Sequence, residues 1–492
     1  MKQIKPYRFL VLIGFLLLCY FPLFLHLDSL SLRLWDESRR AVNAFEMLHN
    51  ENLLVPHYES EPDMWGTKPP LLVWLQAGFM AVLGPNELAV RLPSALAGLA
   101  TVLILVWFGY RQIRLPALGY FAGLALITMF GYLEKPHSVR SGDYDALLTL
   151  WLTGGLLFFF SYCLSASNAE RRRYLWWTTA FITLGVLTKG IAGLFFMPGL
   201  FLFAVYKRKI SDLLRERQTY VAIAVFLLVV AAYYLGREQY NPGYLQAVWE
   251  NELGGRYAES MEGHQHGFFY YFQNFWDRRL TYWLFFIPAG MLLGFVSRGA
   301  LREMTLLLSI NALIFLLVIS NSETKLVWYD LPIYPSLALL AAVTPALAFR
   351  SIIRRMQISR TILRFGTALL LVVAFCGFPY KRAINTIYMR EDRGHQWQHM
   401  QYGNFIKKNP EHRNYFLAQS GYNAHTTFYV KVYNERGYGL ETIHPDQPLS
   451  IEDEILACTQ EAKDKIWSKY RVAVIDEFAA CQLLRIKGTI EN

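Results

Sequence analysis

Long stretches without a single charged residue constrain this chain most. Phe9–Leu25, Leu92–Tyr110, Leu115–Leu133 and Ala146–Asn168 approach or exceed the roughly 17–25 residues that cross a bilayer. So do Ile191–Tyr206, Gln218–Leu235, Leu280–Ser297, Met304–Ser320 and Leu331–Phe349. Tyr174–Thr188 and Phe365–Pro379 are shorter but bounded by charge. The pattern predicts a mainly α, polytopic membrane protein with about eleven spans. Composition agrees: 17% of residues are charged, against about 25% in ordinary soluble domains. The first span carries Tyr20, Phe21 and Pro22 and no small-residue cleavage site follows, so it reads as an anchor and not a cleavable signal.

A net charge of +10 would suit nucleic acid, but its distribution argues otherwise. The basic residues sit in short loops, at Arg111 and Arg114, Arg171–Arg173, Lys207–Arg217, Arg298 and Arg302, and Arg350–Arg364. That is the pattern of cytoplasmic loops under the positive-inside rule, and no nucleic-acid motif accompanies it. With Lys2, Lys5 and Arg8 before the first span, the amino terminus is expected in the cytoplasm. The uncharged run Pro69–Asn86 competes as a further span. Counting it would move every later basic loop outside, so Pro69–Gly84 is expected as an amphipathic or re-entrant helix on the outer surface.

This topology gathers the ionisable residues on the non-cytoplasmic face, where such side chains usually serve ions or substrates. The expected domains are a transmembrane domain over 1–380, with outer loops 27–91 and 236–279, and a soluble extracytoplasmic α/β domain over 381–492. In that tail Tyr415–Ala418, Thr427–Tyr433 and Arg471–Ile475 read as strands. Ile451–Lys469 reads as a helix opened by Ser450 and Asp453. The five cysteines lack metal spacing, and Cys458 and Cys481 are expected unpaired.

Several short constellations lie on the outer face. Trp35-Asp36-Glu37-Ser38-Arg39 offers a carboxylate pair for general-base work or cation binding and a guanidinium for phosphate, but Asp36 equally suits a helix cap. Lys68-Pro69-Pro70 places a cation where it can grip a lipid phosphate or simply snorkel to headgroups. Arg140, Asp143 and Asp145 precede the fourth span. Carboxylates two apart do not share a helix face, which favours Asp145. Asn251, Glu252, Arg256, His264 and His266 form a polar run that could bind a metal or merely be solvated. Lys325 and Tyr329, four apart, could meet on one helix face against a lipid phosphate or form an interfacial belt.

In combination, WDE-x-R after the first span, KPP before an apolar helix, LTKG at Leu187–Gly190 and K-x-x-x-Y-x-LP-x-YP at Lys325–Pro335 resemble one family. It is that of the bacterial lipid-A aminoarabinose transferases, within the protein O-mannosyltransferase-like superfamily of GT-C glycosyltransferases. The likeness covers about residues 8–350. It implies inverting transfer from a polyprenyl-phosphate sugar to a lipid A, glycolipid or cell-surface glycan acceptor at the outer face of a bacterial inner membrane.

The resemblance assigns catalytic roles to Asp36 and Asp145, and lipid-phosphate or donor binding to Arg39, Lys68, Arg256, Lys325 and Tyr329. Glu37, Asp143, His264 and His266 are candidate auxiliary or acceptor residues. Family members carry Glu and His at a structural metal site where this chain has Thr67 and Asn251, so no metal is assigned. The partners expected are membrane lipids, the donor and the acceptor. A protein O-glycosyltransferase of the same fold and a flippase of lipid-linked sugars are the alternatives.

Overall fold

The computed structural model describes residues 6–134, 136–254, 265–358, 360–394 and 400–490. The chain divides into two compact units. One comprises Met1–Leu25, Met64–Leu72 and Pro93–Asn385; the other His26–Asp63, Val73–Leu92 and Thr386–Asn492.

The first unit is helical. A helix falls on each of the expected spans, and among the described residues seven helices are long and apolar enough to cross a membrane. Asp145–Leu164 and Asn168–Lys189 form a hairpin through the short turn at Ser165–Ser167. In the first of these, 83% of the central window is buried, whereas in Arg217–Tyr240 only 11% is buried. The former is therefore an inner helix, and the latter presents leucine and valine outward as a lipid-facing helix does. Other expected spans are interrupted: Leu115–Leu133 breaks after the helix Pro116–Leu126, and Ile191–Tyr206 splits into the 3-10 turn Gly190–Leu194 and the helix Met197–Tyr206. Hydropathy reports apolar length and is blind to such breaks. A helix, Leu71–Leu83, also falls on the uncharged run Pro69–Gly84.

The second unit pairs the tail with the segments on either side of Met64–Leu72. Its sheet contains β3 (Phe416–Ala418), β4 (Glu441–Ile443), β5 (Glu454–Ala457), β6 (Tyr470–Phe478) and β7 (Cys481–Thr489), in the order β4-β3-β5-β7-β6. A separate two-residue ribbon is formed by β1 (His57–Tyr58) and β2 (Glu61–Pro62). In the sheet, β4, β3 and β5 run parallel, while β7 is antiparallel to β5 and to β6. Alternation buries both faces. Leu417, Leu456 and Leu483 face Phe428, Tyr429 and Val432 of the helix Ala424–Asn434, while Ala418, Ile455 and Leu484 face Ala462 and Ile466 of Gln460–Lys469. Hydrogen bonds tie the helix Ala424–Asn434 to the earlier segments: the Tyr429 hydroxyl donates to Glu87 at 2.7 Å and accepts from the Leu32 amide at 2.8 Å.

Three tail expectations are corrected. Thr427–Tyr433 is helical, because its aromatic and β-branched residues are spaced to bury Phe428, Tyr429 and Val432 on one face, which overrides their strand preference. Ile451–Lys469 is divided: Asp453 accepts from the Ser450 amide in a turn, β5 follows, and the helix begins only after Thr459, whose hydroxyl caps the Ala462 amide. Cys458 and Cys481 form a disulfide. Pairing of Ala457 with Gln482 between β5 and β7 brings the next two positions, Cys458 and Cys481, opposite each other, a proximity their sequence separation of 23 does not reveal.

Candidate functional site

Asp145 is the first residue of its helix and almost fully buried. One carboxylate oxygen lies 2.5 Å from Lys189 Nζ and the other 3.0 Å from His137 Nδ1. Lys189 ends the helix Asn168–Lys189, and local sequence explains why it stops there. Gly190 adopts φ 56°, a conformation that favours glycine, and its amide bonds the Val186 carbonyl. Gly193 then lies so close to the backbone of Gly185 and Val186 that a Cβ would fall 2.4 Å from it. The LTKG motif thus turns the chain sharply while delivering Lys189 to Asp145.

The His137 ring stacks on Trp328, with centroids 4.0 Å apart and planes 4° from parallel. Lys189 Nζ lies 5.3 Å from the centre of the neighbouring Tyr329 ring. A second buried network fixes the 3-10 helix Val327–Ile333 that carries both rings. Arg279 donates to Asp330 and to the Tyr334 hydroxyl, at 2.9 and 2.8 Å, and Tyr334 donates to Asp330 at 3.1 Å. Asp143 precedes the helix, so it escapes the opposed orientation expected of helical neighbours; its carboxylate comes within 3.9 Å of His137. Arg140 instead clamps the end of the first helix through the Pro22 and Leu25 carbonyls.

Lys68 belongs to the same unit. Its Nζ lies 3.1 Å from Glu252 Oε1, which also accepts the Thr67 hydroxyl at 2.8 Å. Tyr144, the residue before Asp145, presents its ring 5.9 Å from Lys68 Nζ. The strand of chain before Lys68 is pinned from behind, since Arg237 donates to the Gly66 carbonyl and Tyr244 to that of Thr67. Glu252 thus receives a hydroxyl and an ammonium, those of Thr67 and Lys68, in one hydrogen-bonded clamp. Among the described residues, Glu411, His412 and Asp476 are near enough for one ion, at the surface of the second unit.

Lys325 precedes the 3-10 helix instead of sharing a helical face with Tyr329, and its ammonium donates to the Ser322 carbonyl at 2.5 Å. His266 is exposed and stacks on Tyr270. Arg256 and His264 fall outside the described residues.

The remaining candidates lie in the second unit. Asp36 opens the helix Asp36–His49, with its side chain 41% exposed and 3.7 Å from Arg40. Glu37 is buried and holds Arg91 through both oxygens, at 2.7 and 3.1 Å. Arg91 also donates to the Leu27, Leu30 and Ser31 carbonyls, so Glu37 anchors the loop that enters the helix. Arg39 makes a two-pronged contact with Asp63, at 2.9 and 2.7 Å, and its guanidinium lies over the Tyr58 and Tyr422 rings. Burial by itself would raise the Asp63 carboxyl, but the Arg39 hydrogen bond and the charges of Arg40 and Arg39 hold it well below the usual range.

Glu252 stood out in the sequence only within a possible metal-binding run and pairs instead with Lys68, whereas His137, Lys189, Asp330 and Asp63 were not singled out as site candidates. Lys189 had a signal, the LTKG motif. The others sit in loops or spans where nothing local marks a partner.

Residues 67–234 match the family described as dolichyl-phosphate-mannose-protein mannosyltransferase. The chain is 28% identical over 333 residues to the undecaprenyl phosphate-alpha-4-amino-4-deoxy-L-arabinose arabinosyl transferase of Aeromonas salmonicida, a match covering 66% of this chain and 58% of that protein. The transferase of the same name from Aeromonas hydrophila is 28% identical over 383 residues, covering 76% and 67%. The matched region thus spans less than two thirds of the first relative. Among solved structures, ArnT from Cupriavidus metallidurans bound to undecaprenyl phosphate superposes with a TM-score of 0.73 at 16% identity, covering 96% of this chain and 97% of that one. The Archaeoglobus fulgidus oligosaccharyltransferase superposes at 0.55 and 14% identity, covering 89% and 64%. The chain has the GT-C fold expected from its motifs and is a multi-pass membrane protein similar to aminoarabinose transferases.

Proposed function

We propose that this chain is an integral-membrane glycosyltransferase that moves a sugar from a polyprenyl-phosphate donor to a lipid A, glycolipid or cell-surface glycan acceptor. The observation that carries this reading is the buried Asp145–Lys189–His137 constellation with Lys68 beside Tyr144, in a fold shared over nearly the whole length with a protein solved with undecaprenyl phosphate. Bundles keep such ionisable groups within apolar surroundings at a cost that function offsets.

The chemistry is proposed residue by residue. Asp36 accepts the proton of an acceptor hydroxyl as that oxygen attacks the anomeric carbon. The bond from that carbon to the lipid-phosphate oxygen breaks on the opposite side, with inversion, and its electron pair departs on the polyprenyl phosphate. Lys68, Arg256, Lys325 and Tyr329 offset the charge on that phosphate, and Asp145 holds Lys189 ready beside Tyr329. Arg39, which Asp63 holds through two hydrogen bonds, is proposed as a further donor-binding cation. The site is proposed to face outward from a bacterial inner membrane, with a cytoplasmic amino terminus and an extracytoplasmic tail. The Cys458–Cys481 disulfide supports that side for the tail, since disulfides persist in oxidising compartments.

The test is transfer by purified protein in liposomes, given polyprenyl-phosphate sugars and a membrane lipid extract. Transfer lost in Asp36→Asn and in Lys68→Ala is the expected result. Transfer that persists in both overturns the assignment of roles. Protein-dependent translocation of the lipid-linked sugar without transfer favours the flippase, and transfer to protein hydroxyls favours the O-glycosyltransferase.

A further inference from the structure

The second unit contains a cleft of about 720 Å³, within the roughly 300–1,000 Å³ range of small-molecule sites. It lies beside the loop leaving the carboxyl end of β3, along the edge strand β4 and the helix Ala424–Asn434. Tyr58, Tyr422, Gln419, Asn423, Lys431 and Glu441 are among its walls. Three features of these walls point to one kind of ligand.

First, the aromatic wall is rigid. Tyr422 stacks on Trp35, with centroids 5.2 Å apart, and on Tyr58, 6.0 Å away, and Arg39 braces both tyrosines. Burial raises the Tyr58 and Tyr422 phenols, which keeps them neutral hydroxyl donors. Ring faces and edges of this kind suit the C–H faces of a pyranose.

Second, a residue of the cleft wall carries an unmet hydrogen-bonding group. Gln419 is 7% exposed; its backbone amide bonds the Ile443 carbonyl and its side-chain amide donates to Thr426. Its side-chain oxygen is buried and has no hydrogen-bond partner among the described residues. A buried acceptor left without a donor is costly, and a ligand hydroxyl would satisfy it.

Third, the charge balance disfavours a phosphate. Glu59 and Glu441 line the cleft, and the ammonium there, that of Lys431, is paired with Glu46 at 3.1 Å. Carboxylates repel an anion but accept well from hydroxyls and from an amino group.

We propose that this cleft binds an uncharged or amino-bearing saccharide, the glycan part of the acceptor. The assignment to the acceptor rests on the transferase reading; the saccharide chemistry does not.

The test uses the full-length protein in a non-glycosidic detergent, without donor. Maltose, the glucosamine disaccharide chitobiose and inorganic phosphate are titrated separately, and saturation-transfer NMR reads sugar contact, with phosphate as a competitor. Expected is saturable contact with at least one disaccharide, weakened tenfold or more by Tyr422→Ala, with no competition by phosphate. Glu441→Gln, a surface change that cannot disturb the core, weakens chitobiose more than maltose. No saturable sugar contact, effective competition by phosphate, or unchanged affinity in a Tyr422→Ala protein that melts like wild type overturns the proposal. Should Tyr422→Ala unfold, unchanged chitobiose affinity in Glu441→Gln overturns it. A parallel transfer assay separates the two readings: sugar binding without transfer retires the transferase, and transfer without sugar binding retires the cleft.

Discussion

The Lys189 ammonium stands 2.5 Å from the Asp145 carboxylate, joining the last residue of one membrane helix to the first residue of the one before it. The pair is largely screened from solvent, with side-chain exposures of 11% and 2%. Removing one member of such a pair leaves the other buried without its counter-charge. Lys189→Met is therefore expected to cost about 3–5 kcal/mol, read as a lower melting temperature in detergent. Asp145→Asn/Lys189→Met should recover most of that stability. If the proposed function holds, transfer should stay at least about a hundredfold below wild type in both, because the buried ammonium beside Tyr329 is gone. Recovery of transfer in the double variant would reduce the pair to a structural role.

Lys68 gives a second, separable expectation. Glu252 and Thr67 hold it on one side and the Tyr144 ring lies on the other. Lys68→Ala should lower transfer by roughly 10²-fold or more while lowering the melting temperature less than Lys189→Met does, since Thr67 keeps its bond to Glu252. Glu252→Gln retains the hydrogen bonds and removes the charge, so it should raise KM for the donor more than it lowers kcat. Equal loss in both variants, accompanied by a lower melting temperature, would mark the trio as a structural clamp.

The helical bundle was legible because it rests on a local signal, uncharged length; Asp145 and Lys68 were visible as charges at the ends of apolar runs. The partners were not. His137 reaches Asp145 from a loop in which its own φ is 57°, and Glu252 reaches Lys68 across more than half the first unit's sequence. Neither closure leaves a periodicity to read. Glu37 and Arg39 drew attention as a charged motif, yet the residues that engage them, Arg91 and Asp63, belong to distant segments. In the tail, Phe428, Tyr429 and Val432 carry strand preference and helix spacing together, and only the sheet beneath them decides between the two.

The Cys458–Cys481 bond closes a loop with a separation of 23 residues, joining β5 to β7. Loop-closure entropy for that length is worth about 3 kcal/mol. Cys458→Ser/Cys481→Ser, or treatment with a reductant, should therefore lower the melting temperature of the second unit. Alkylation of the unfolded, unreduced protein should label Cys19, Cys163 and Cys376 alone. Labelling of all five cysteines in protein recovered from native membranes would contradict the pairing.

Asp63 should make the protein sensitive to acid in a defined direction. Its side chain is completely buried against Arg39, and those cations hold its folded-state carboxyl well below the ordinary value. An unfolded aspartate titrates near about 4. Above that pH the carboxyl is ionised in both states, and the whole stabilisation is present. Below it the unfolded chain takes up a proton that the folded chain refuses, so stability falls as pH falls, by about 1.4 kcal/mol per pH unit for this group. The loss continues until the folded-state value is reached. Melting followed from pH 7 to pH 3 should show this decline in wild type. Asp63→Asn should melt lower at pH 7, where Arg39 has lost its anion, and decline less steeply below pH 4. Parallel curves for the two proteins would mean that the Arg39–Asp63 contact does not govern the acid response.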